Sequence, residues 1–427
     1  MRHIIKLINQ VKNYSWGSPQ WIPRLTGQNN STGEPWAELW MGVHPHGPSV
    51  LDIPGDEQPL LSDFIGKYPE LFLGEAVSRE FGALPFLLKF LAADKPLSVQ
   101  VHPNLAQARA GFERENKAGL PLNDPARNYK DPNHKPEILC ALSPFRAMCG
   151  FREWDGILSL LKTFSHDAMT RRGTALNAGF TRMRKALETG TEQAEEEALR
   201  LFFAALFDLP GEFRRELTVY TVEQEPILRV RVPEHAEIWH TAACFARLYP
   251  EDPAVIAPLY LNLITLAPGE AIYLPAGILH AYIEGLGIEL MANSDNVLRG
   301  GLTSKHVDVE ELACILEFRP FLPAVLRPPK PIPSAFTYPT NCREFSLSVI
   351  QGKGENAPFP LSGPAIAVVT EGKAVFSCHD ETDGSIETLT LEQGESAFIA
   401  FRKAGTVLTY SGSCILYAAG IGAAPSA

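Results

Sequence analysis

Residues 266–285 read LAPGEAIYLPAGILHAYIEG and contain short apolar segments separated by tight turns. Glycine and proline at such spacing are typical of the turns that end β-strands, so the Gly-Glu and Pro-x-Gly pairs indicate strand, turn, strand. His280 follows the second turn, where the next strand begins. Residues 391–402 (LEQGESAFIAFR) repeat the strand, Gly-Glu turn, strand order. The two segments together predict two related β-barrels in one chain.

The length of the chain and its changes of pattern predict three structural units. A chain of 427 residues exceeds one ordinary hydrophobic core. Helical periodicity replaces the β pattern in the middle of the chain, and a proline-rich stretch precedes the last series of short strands. We therefore expect a mainly β fold with an α-helical insertion. The predicted units are a first β domain of residues 1–152 with 259–320, a helical domain of 153–258, and a C-terminal β domain of 321–427.

Composition and charge argue against several classes of partner. The net charge is −11, which does not favour nucleic acid or an anionic membrane. No stretch of about 18 apolar residues is found, and the N-terminus lacks the pattern of a signal peptide. Seven cysteines without a CxxC pair are typical of reduced thiols. We expect a cytoplasmic, monomeric protein that acts on a small molecule.

A second informative stretch, LSVQVHP at residues 97–103, alternates apolar and polar side chains. Alternation predicts a strand with Ser98, Gln100 and His102 on one face. A face in contact with solvent is the simpler interpretation. The alternative is that Gln100 and His102 belong to a polar pocket or a metal site.

The spacing from Gly269 to His280 resembles the second motif of the cupin barrels, in which the histidine after the Pro-x-Gly turn is a metal ligand. The first cupin motif would supply His-x-His and a nearby glutamate, whereas this chain has Gln100-x-His102 and Glu137 35 positions further on. Two imidazoles, one carboxylate and one amide oxygen suit a borderline divalent ion such as Zn²⁺. We therefore expect two cupin-like β-barrels plus a helical domain. We also expect one Zn²⁺ per chain, held by Gln100, His102, Glu137 and His280.

The sequence is similar to the type I mannose-6-phosphate isomerases over most of its length. The resemblance implies a zinc enzyme that interconverts mannose 6-phosphate and fructose 6-phosphate by moving a proton between C2 and C1 through an enediol. The same four residues are then the metal ligands. The matching stretches are NYSWGS (13–18), AELWMGVHP (37–45), LPFLLKFLAADKPLSVQVHPN (84–104), YKDPNHKPE (129–137), YLPAGILHAYIEG (273–285) and ELMANSDNVLRGGLTSKHVD (289–308).

The same resemblance implies roles for residues around the metal. Arg299, in the SDNVLR motif, would stabilise the charged intermediate or transition state. Lys135 and Glu289 are both candidates for the proton carrier, with His134 and Asp295 as further possibilities. A lysine near Zn²⁺ would have a lowered pKa, whereas Glu289 would need no such shift. The substrate-binding candidates are Ser98, Lys95, Lys305 and Asp295.

Two other functions compete with the isomerase. A cupin oxygenase would use iron on two histidines and one carboxylate with open positions for O₂. A sugar-phosphate-binding cupin without turnover is the second alternative. His44 and His46 resemble a metal pair, but no carboxylate stands near them in sequence, so we interpret them as structural. The C-terminal barrel has no histidine at the place of His280, and we predict that it binds no metal.

Overall fold

The computed structural model describes residues 3–54, 58–170, 173–191, 194–330, 333–361, 363–381, 384–403 and 405–423. Within these ranges the chain begins with short strands and helices. They are β1 (Ile4–Ile8), β2 (Gln10–Lys12), α1 (Trp21–Thr26), β3 (Glu38–Gly42), β4 (Val50–Leu51), α2 (Leu61–Lys67), α3 (Pro69–Leu73), α4 (Glu75–Phe81), β5 (Phe86–Ala93), β6 (Gln100–Val101), α5 (Leu105–Lys117), β7 (Glu137–Ala141) and β8 (Phe145–Phe151).

A run of helices follows β8. Their apolar residues recur at helical spacing: Leu199, Phe202, Phe203 and Leu206 of the fourth helix are all buried. Three glutamates in the first turn of that helix complement its dipole. The helices are α6 (Trp154–Phe164), α7 (His166–Met169), α8 (Ala175–Leu187), α9 (Glu195–Phe207), α10 (Gly211–Arg231), α11 (Ala236–Leu248) and α12 (Ala257–Tyr260).

The remaining part of the chain, from residue 261 onward, returns to strands, interrupted by one helix among the described residues. The elements are β9 (Leu261–Leu266), β10 (Ala271–Leu274), β11 (His280–Ala292), β12 (Leu298–Arg299), α13 (Val309–Ile315), β13 (Ala335–Thr337), β14 (Ser346–Lys353), β15 (Ala357–Pro358), β16 (Ala365–Asp380), β17 (Ile386–Glu392), β18 (Ser396–Ile399), β19 (Thr406–Ser411) and β20 (Ser413–Gly420).

These strands form two ten-stranded sheets. The first sheet has the order β10-β7-β11-β5-β3-β2, and β6, β8, β9 and β12 extend it around β11. The second sheet has the order β13-β14-β20-β16-β18-β1-β4, with β17 and β19 attached at β16 and β15 attached to β19. Two β units with helices between their strands confirm the predicted fold class.

The structure differs from the predicted division of the chain at its N-terminus. β1 pairs with β18, Ile4 opposite Ile399, and so belongs to the second sheet rather than to the first. Ile4 and Ile5 are both buried, on opposite faces of the strand. A strand that is apolar on both faces must pack against other residues on both faces. In the second sheet, both faces of β1 are packed in this way. The other predicted domain boundaries stay predictions.

A helix that spans a membrane must be both long and predominantly apolar. Among the described residues, no helix is both long and apolar enough to cross a bilayer.

Candidate metal centre and surrounding cavity

Neighbouring strands of the first sheet bring the predicted metal ligands together. Gln100 in β6 is paired with His280 at the start of β11, and Glu137 begins β7, which runs beside the other half of β11. His102 directly follows β6, on the same face as Gln100. The Gly277 N–H donates a hydrogen bond of 2.9 Å to the carbonyl of His102. Predicted ligands from three distant parts of the chain therefore lie side by side.

His102, Glu137 and His280 form a buried cluster. Nε2 of His102 lies 3.4 Å from Oε1 of Glu137, and Nε2 of His280 lies 3.4 Å from Oε2. One donor atom from each residue lies within 4.8 Å of the other two. The Nδ1 atoms are 2.7 Å and 3.0 Å from the carbonyls of Asn296 and Ile278. A backbone carbonyl at Nδ1 holds the proton there, which leaves Nε2 of both rings free to bind a metal.

The donor atoms of this cluster fit a divalent metal ion. Among the described residues, His102 Nε2 and both carboxylate oxygens of Glu137 are buried without a hydrogen bond of ordinary geometry, although Oε1 of Glu137 also has the charge of Lys135 beside it. Leaving a buried polar group unpaired costs about 1–3 kcal/mol, and a bound ion would satisfy all three atoms. Burial and the charge of Lys135 lower the pKa of His102 to about 4, so its ring is neutral at pH 7. Burial alone would raise the pKa of Glu137, but Lys135 and His102 hold it well below its usual range.

Gln100, the fourth predicted metal ligand, lies at the edge of the cluster. Its Nε2 lies 3.4 Å from Nε2 of His280. The nitrogen and oxygen of a glutamine amide are assigned from their contacts, and a half-turn of the amide brings Oε1 to the same place. The side chain of Gln100 can therefore offer an oxygen ligand.

Lys135 is held directly against this cluster. Its Nζ lies 2.6 Å from Oε1 of Glu137, and the side chain is 9% exposed. Lys135 also lines the neighbouring cavity. It can therefore contact both a metal ligand and a molecule in that cavity.

A second buried charge network lies along β5, β11 and β3, and sequence reasoning identified only one of its members. Nζ of Lys89 is 2.8 Å from Oε2 of Glu289 and 3.4 Å from Oε1 of Glu38. Burial would lower the pKa of Lys89, but the two carboxylates raise it well above its usual value. Burial raises the pKa of Glu289. A lone lysine inside the apolar run PFLLKFLAA was the signal for Lys89, since a charge there requires a partner.

A cavity of about 420 Å³ lies beside the cluster, and most of the predicted site residues line it. Its wall includes Gln100, Ser98, Lys135, Glu289, Asp295, Arg299 and Lys305. Lys95 is exposed and is not part of this wall. His134 also lies outside it, with Nε2 2.7 Å from Oε1 of Glu344. Lys95 lies in a bend after β5 and His134 follows a bend at residues 130–132, so alternation along a strand does not determine the direction of either side chain.

Cations gather at one end of this cavity. Burial lowers the pKa of Arg299, and the charge of Arg299 is the largest cause that lowers the pKa of Lys305. Lys130, which lines a neighbouring cavity rather than this one, has a pKa lowered by burial, by Arg127 and by further neighbours that include Arg299. Such mutual repulsion marks a region where an anion would be attracted.

The structure corrects the interpretation of His44 and His46 as a pair without a carboxylate. Nε2 of His44 lies 3.4 Å from Oδ1 of Asp295, and Nδ1 of His46 lies 3.1 Å from Oδ2. The loop after β11 supplies this aspartate, so no short sequence motif could have indicated it.

Comparison with known proteins gives consistent similarities. Residues 4–154 match the family model described as "Phosphomannose isomerase type I, catalytic domain". The chain is 40% identical over 399 residues to the mannose-6-phosphate isomerase of Salmonella typhimurium, covering 92% of this chain and 94% of that protein. It is 30% identical over 394 residues to mannose-6-phosphate isomerase 1 of Arabidopsis thaliana, covering 90% and 87%.

Solved structures resemble the whole chain. A crystal structure of a phosphomannose isomerase variant from Salmonella typhimurium superimposes with a TM-score of 0.85 at 36% identity, covering 99% of this chain and 100% of that one. A zinc-bound holo mannose 6-phosphate isomerase gives a TM-score of 0.84 at 36% identity and the same coverage. The similarity therefore extends to both sheets and to the helices between them.

Proposed function

Because the chain belongs to the type I phosphomannose isomerase family, we propose that it is a zinc-dependent aldose-ketose isomerase that interconverts D-mannose 6-phosphate and D-fructose 6-phosphate. The buried cluster of His102, Glu137 and His280 carries this proposal, since its unpaired donor atoms need an ion and stand beside a cavity with acid-base and cationic groups. Relatives named for this reaction, and a similar structure described as zinc-bound, support it. They favour an isomerase over an oxygenase.

Four residues would hold the ion: Gln100, His102, Glu137 and His280. Bound Zn²⁺ supplies Lewis acidity toward a substrate oxygen, and a ligand set with one negative charge preserves that acidity. His102 is neutral and Glu137 is ionised before any metal arrives, because of the shifts in pKa described above. These two residues are therefore already in the protonation states that metal binding requires.

The proton that moves between C2 and C1 needs a carrier in the cavity wall. Glu289 and Lys135 both line the cavity and are both buried. Nζ of Lys135 lies 2.6 Å from Oε1 of Glu137 and is therefore already engaged by a predicted metal ligand. Glu289 is a carboxylate whose pKa is raised by burial, which brings its basicity closer to neutral pH. We assign the proton transfer to Glu289.

The remaining cavity residues fit a charged sugar. Arg299 would stabilise negative charge that develops as the enediol forms. Lys305 and Ser98 would bind the phosphate, and Asp295 would accept hydrogen bonds from sugar hydroxyls. Lys95, exposed outside the cavity, is left out of the substrate contacts.

The direct test is removal and return of the metal. Protein stripped with a chelator and then given Zn²⁺ is assayed for fructose 6-phosphate formed from mannose 6-phosphate. We expect activity to vanish on stripping and to return with Zn²⁺, while the His280→Gln variant stays inactive throughout because it lacks a ligand. Folded wild-type protein that binds zinc but forms no fructose 6-phosphate would refute the proposal, and O₂ consumption would then be measured.

A further inference from the structure

A second set of metal-binding side chains lies outside the cluster described above. His44, His46 and Asp295 each offer a donor atom within 4.8 Å of the other two. The carboxylate is shared, since Oδ1 faces Nε2 of His44 at 3.4 Å and Oδ2 faces Nδ1 of His46 at 3.1 Å. The ring centroids of the two histidines are 5.5 Å apart. Both imidazoles therefore approach one carboxylate from adjacent directions.

These side chains are held in place by contacts that do not use their donor atoms. The ring of His44 packs edge-on against Trp40, with 4.9 Å between centroids. Nζ of Lys12 donates a 2.6 Å hydrogen bond to the carbonyl of His46. The N–H of Asp295 donates a 2.7 Å hydrogen bond to Oδ2 of Asp131. A site that is already ordered loses little entropy when an ion binds.

The location gives an ion access from solvent. His44 and Asp295 belong to the walls of both the 420 Å³ cavity and a second cavity of about 670 Å³, whereas His46 belongs only to the second. The side chain of His44 is 3% exposed, that of Asp295 36% and that of His46 73%. The buried ligand thus lies innermost and the exposed ligand outermost, as expected for a site that is filled from the second cavity.

We propose that His44, His46 and Asp295 form a second divalent-metal site, which shares no ligand with the cluster of His102, Glu137 and His280. Two imidazoles and one carboxylate select Zn²⁺, Ni²⁺ or Cu²⁺ over Mg²⁺ or Ca²⁺, which prefer oxygen ligands. On binding, the proton of the His44 ring resides on Nδ1 and Nε2 binds the ion. The ion would replace the contacts of Asp295 with Nε2 of His44 at 3.4 Å and with Nδ1 of His46 at 3.1 Å. The hydrogen bond of 3.3 Å from the N–H of His46 to Nδ1 of His44 would also be given up.

The number of bound ions tests this site. Full-length protein is dialysed against buffered free Zn²⁺, and bound zinc per chain is measured over a range of concentrations. We expect two ions in the wild type. In His46→Ala we expect the weaker-bound ion to lose affinity by at least about tenfold, the effect that even an outer partner of a metal site can have. His166→Ala, which removes an exposed histidine from α7, is the matched control and should still bind two.

An absorption spectrum shows whether the second ion binds at His46. In the His46→Cys variant loaded with Co²⁺, we expect a thiolate-to-cobalt absorption band that the wild type lacks. Wild-type protein that binds one ion per chain at every concentration, or two ions retained in His46→Ala at unchanged affinity, would overturn the proposal. Either result would leave the isomerase proposal untouched, because that proposal depends on the other cluster.

Discussion

Glu289 and Lys89 illustrate how individual residues are tuned by their surroundings. Both are buried, and the 2.8 Å contact between Nζ and Oε2 balances two charges that neither could carry alone. Burial raises the pKa of Glu289, while Glu289 and Glu38 raise that of Lys89 against the effect of burial. The lysine stays charged, and the carboxylate of Glu289 becomes more basic than that of an ordinary glutamate.

A first prediction distinguishes the proton carriers. Glu289→Gln should slow exchange of the C2 proton with solvent by about 10²–10⁴-fold, the usual effect of removing a general base. The measurement is loss of deuterium from 2-deuterated mannose 6-phosphate by zinc-loaded protein. Glu38→Gln is the matched control, since it removes the other partner of Lys89 and should retain fast exchange. Exchange that persists in Glu289→Gln but is lost in Lys135→Met would transfer the role to Lys135.

At the scale of elements, β11 and the turn before it organise the metal centre. This strand of 13 residues pairs with β5, β6, β7 and β8, and so its position determines where each ligand lies. Gly277, in the turn that leads to His280, has φ +80°. A Cβ at Gly277 would lie 2.8 Å from Cγ of Glu317 and 3.3 Å from the carbonyl oxygen of Ile315. The turn therefore has room for glycine alone.

A second prediction follows from this turn. Gly277→Ala should weaken zinc binding, because the added Cβ would displace the N–H that now bonds to the carbonyl of His102. Zinc affinity is measured by competition with a chromophoric chelator. Gly269→Ala is the matched control: its φ is +85°, but a Cβ there would contact nothing within 4 Å. Both variants carry a backbone strain of about 1–2 kcal/mol. Equal zinc affinity in the two would contradict the explanation.

At the scale of the whole molecule, the two sheets share one hydrophobic core. A single buried cluster contains Phe72 from α3, Ile138 from the first sheet, and Phe345 and Phe398 from the C-terminal part of the chain. The ring centroids of Phe72 and Phe398 are 6.4 Å apart. Stability of the metal-bearing half should therefore depend on residues of the half without a predicted metal site.

A third prediction tests this coupling. Phe398→Ala should lower the free energy of unfolding by about 3–5 kcal/mol, the usual cost of removing a buried aromatic ring. All six tryptophans precede residue 240, so tryptophan fluorescence reports on the chain outside the C-terminal barrel. We expect its urea midpoint to fall in Phe398→Ala. Ile386→Ala, at a side chain 68% exposed in β17, should change stability by less than about 0.5 kcal/mol. An unchanged fluorescence midpoint in Phe398→Ala would mean that the two barrels unfold independently.

The sequence by itself determined the features that neighbouring residues encode. Alternation at LSVQVHP indicated which side chains share the face of Gln100 and His102, and apolar spacing indicated the helices, as in α9. The Pro-x-Gly turn indicated where the strand of His280 begins. These signals are local because strand alternation, helical periodicity and turn geometry depend on residues a few positions apart.

Only the tertiary structure decided which distant residues meet. Lys89 and Glu289 are 200 positions apart and become partners through the register of β5 and β11. Asp295 reaches His44 and His46 through a loop, Lys95 lies outside the cavity wall, and β1 joins the second sheet. Register and loop paths result from packing of the whole chain, and no short stretch contains them.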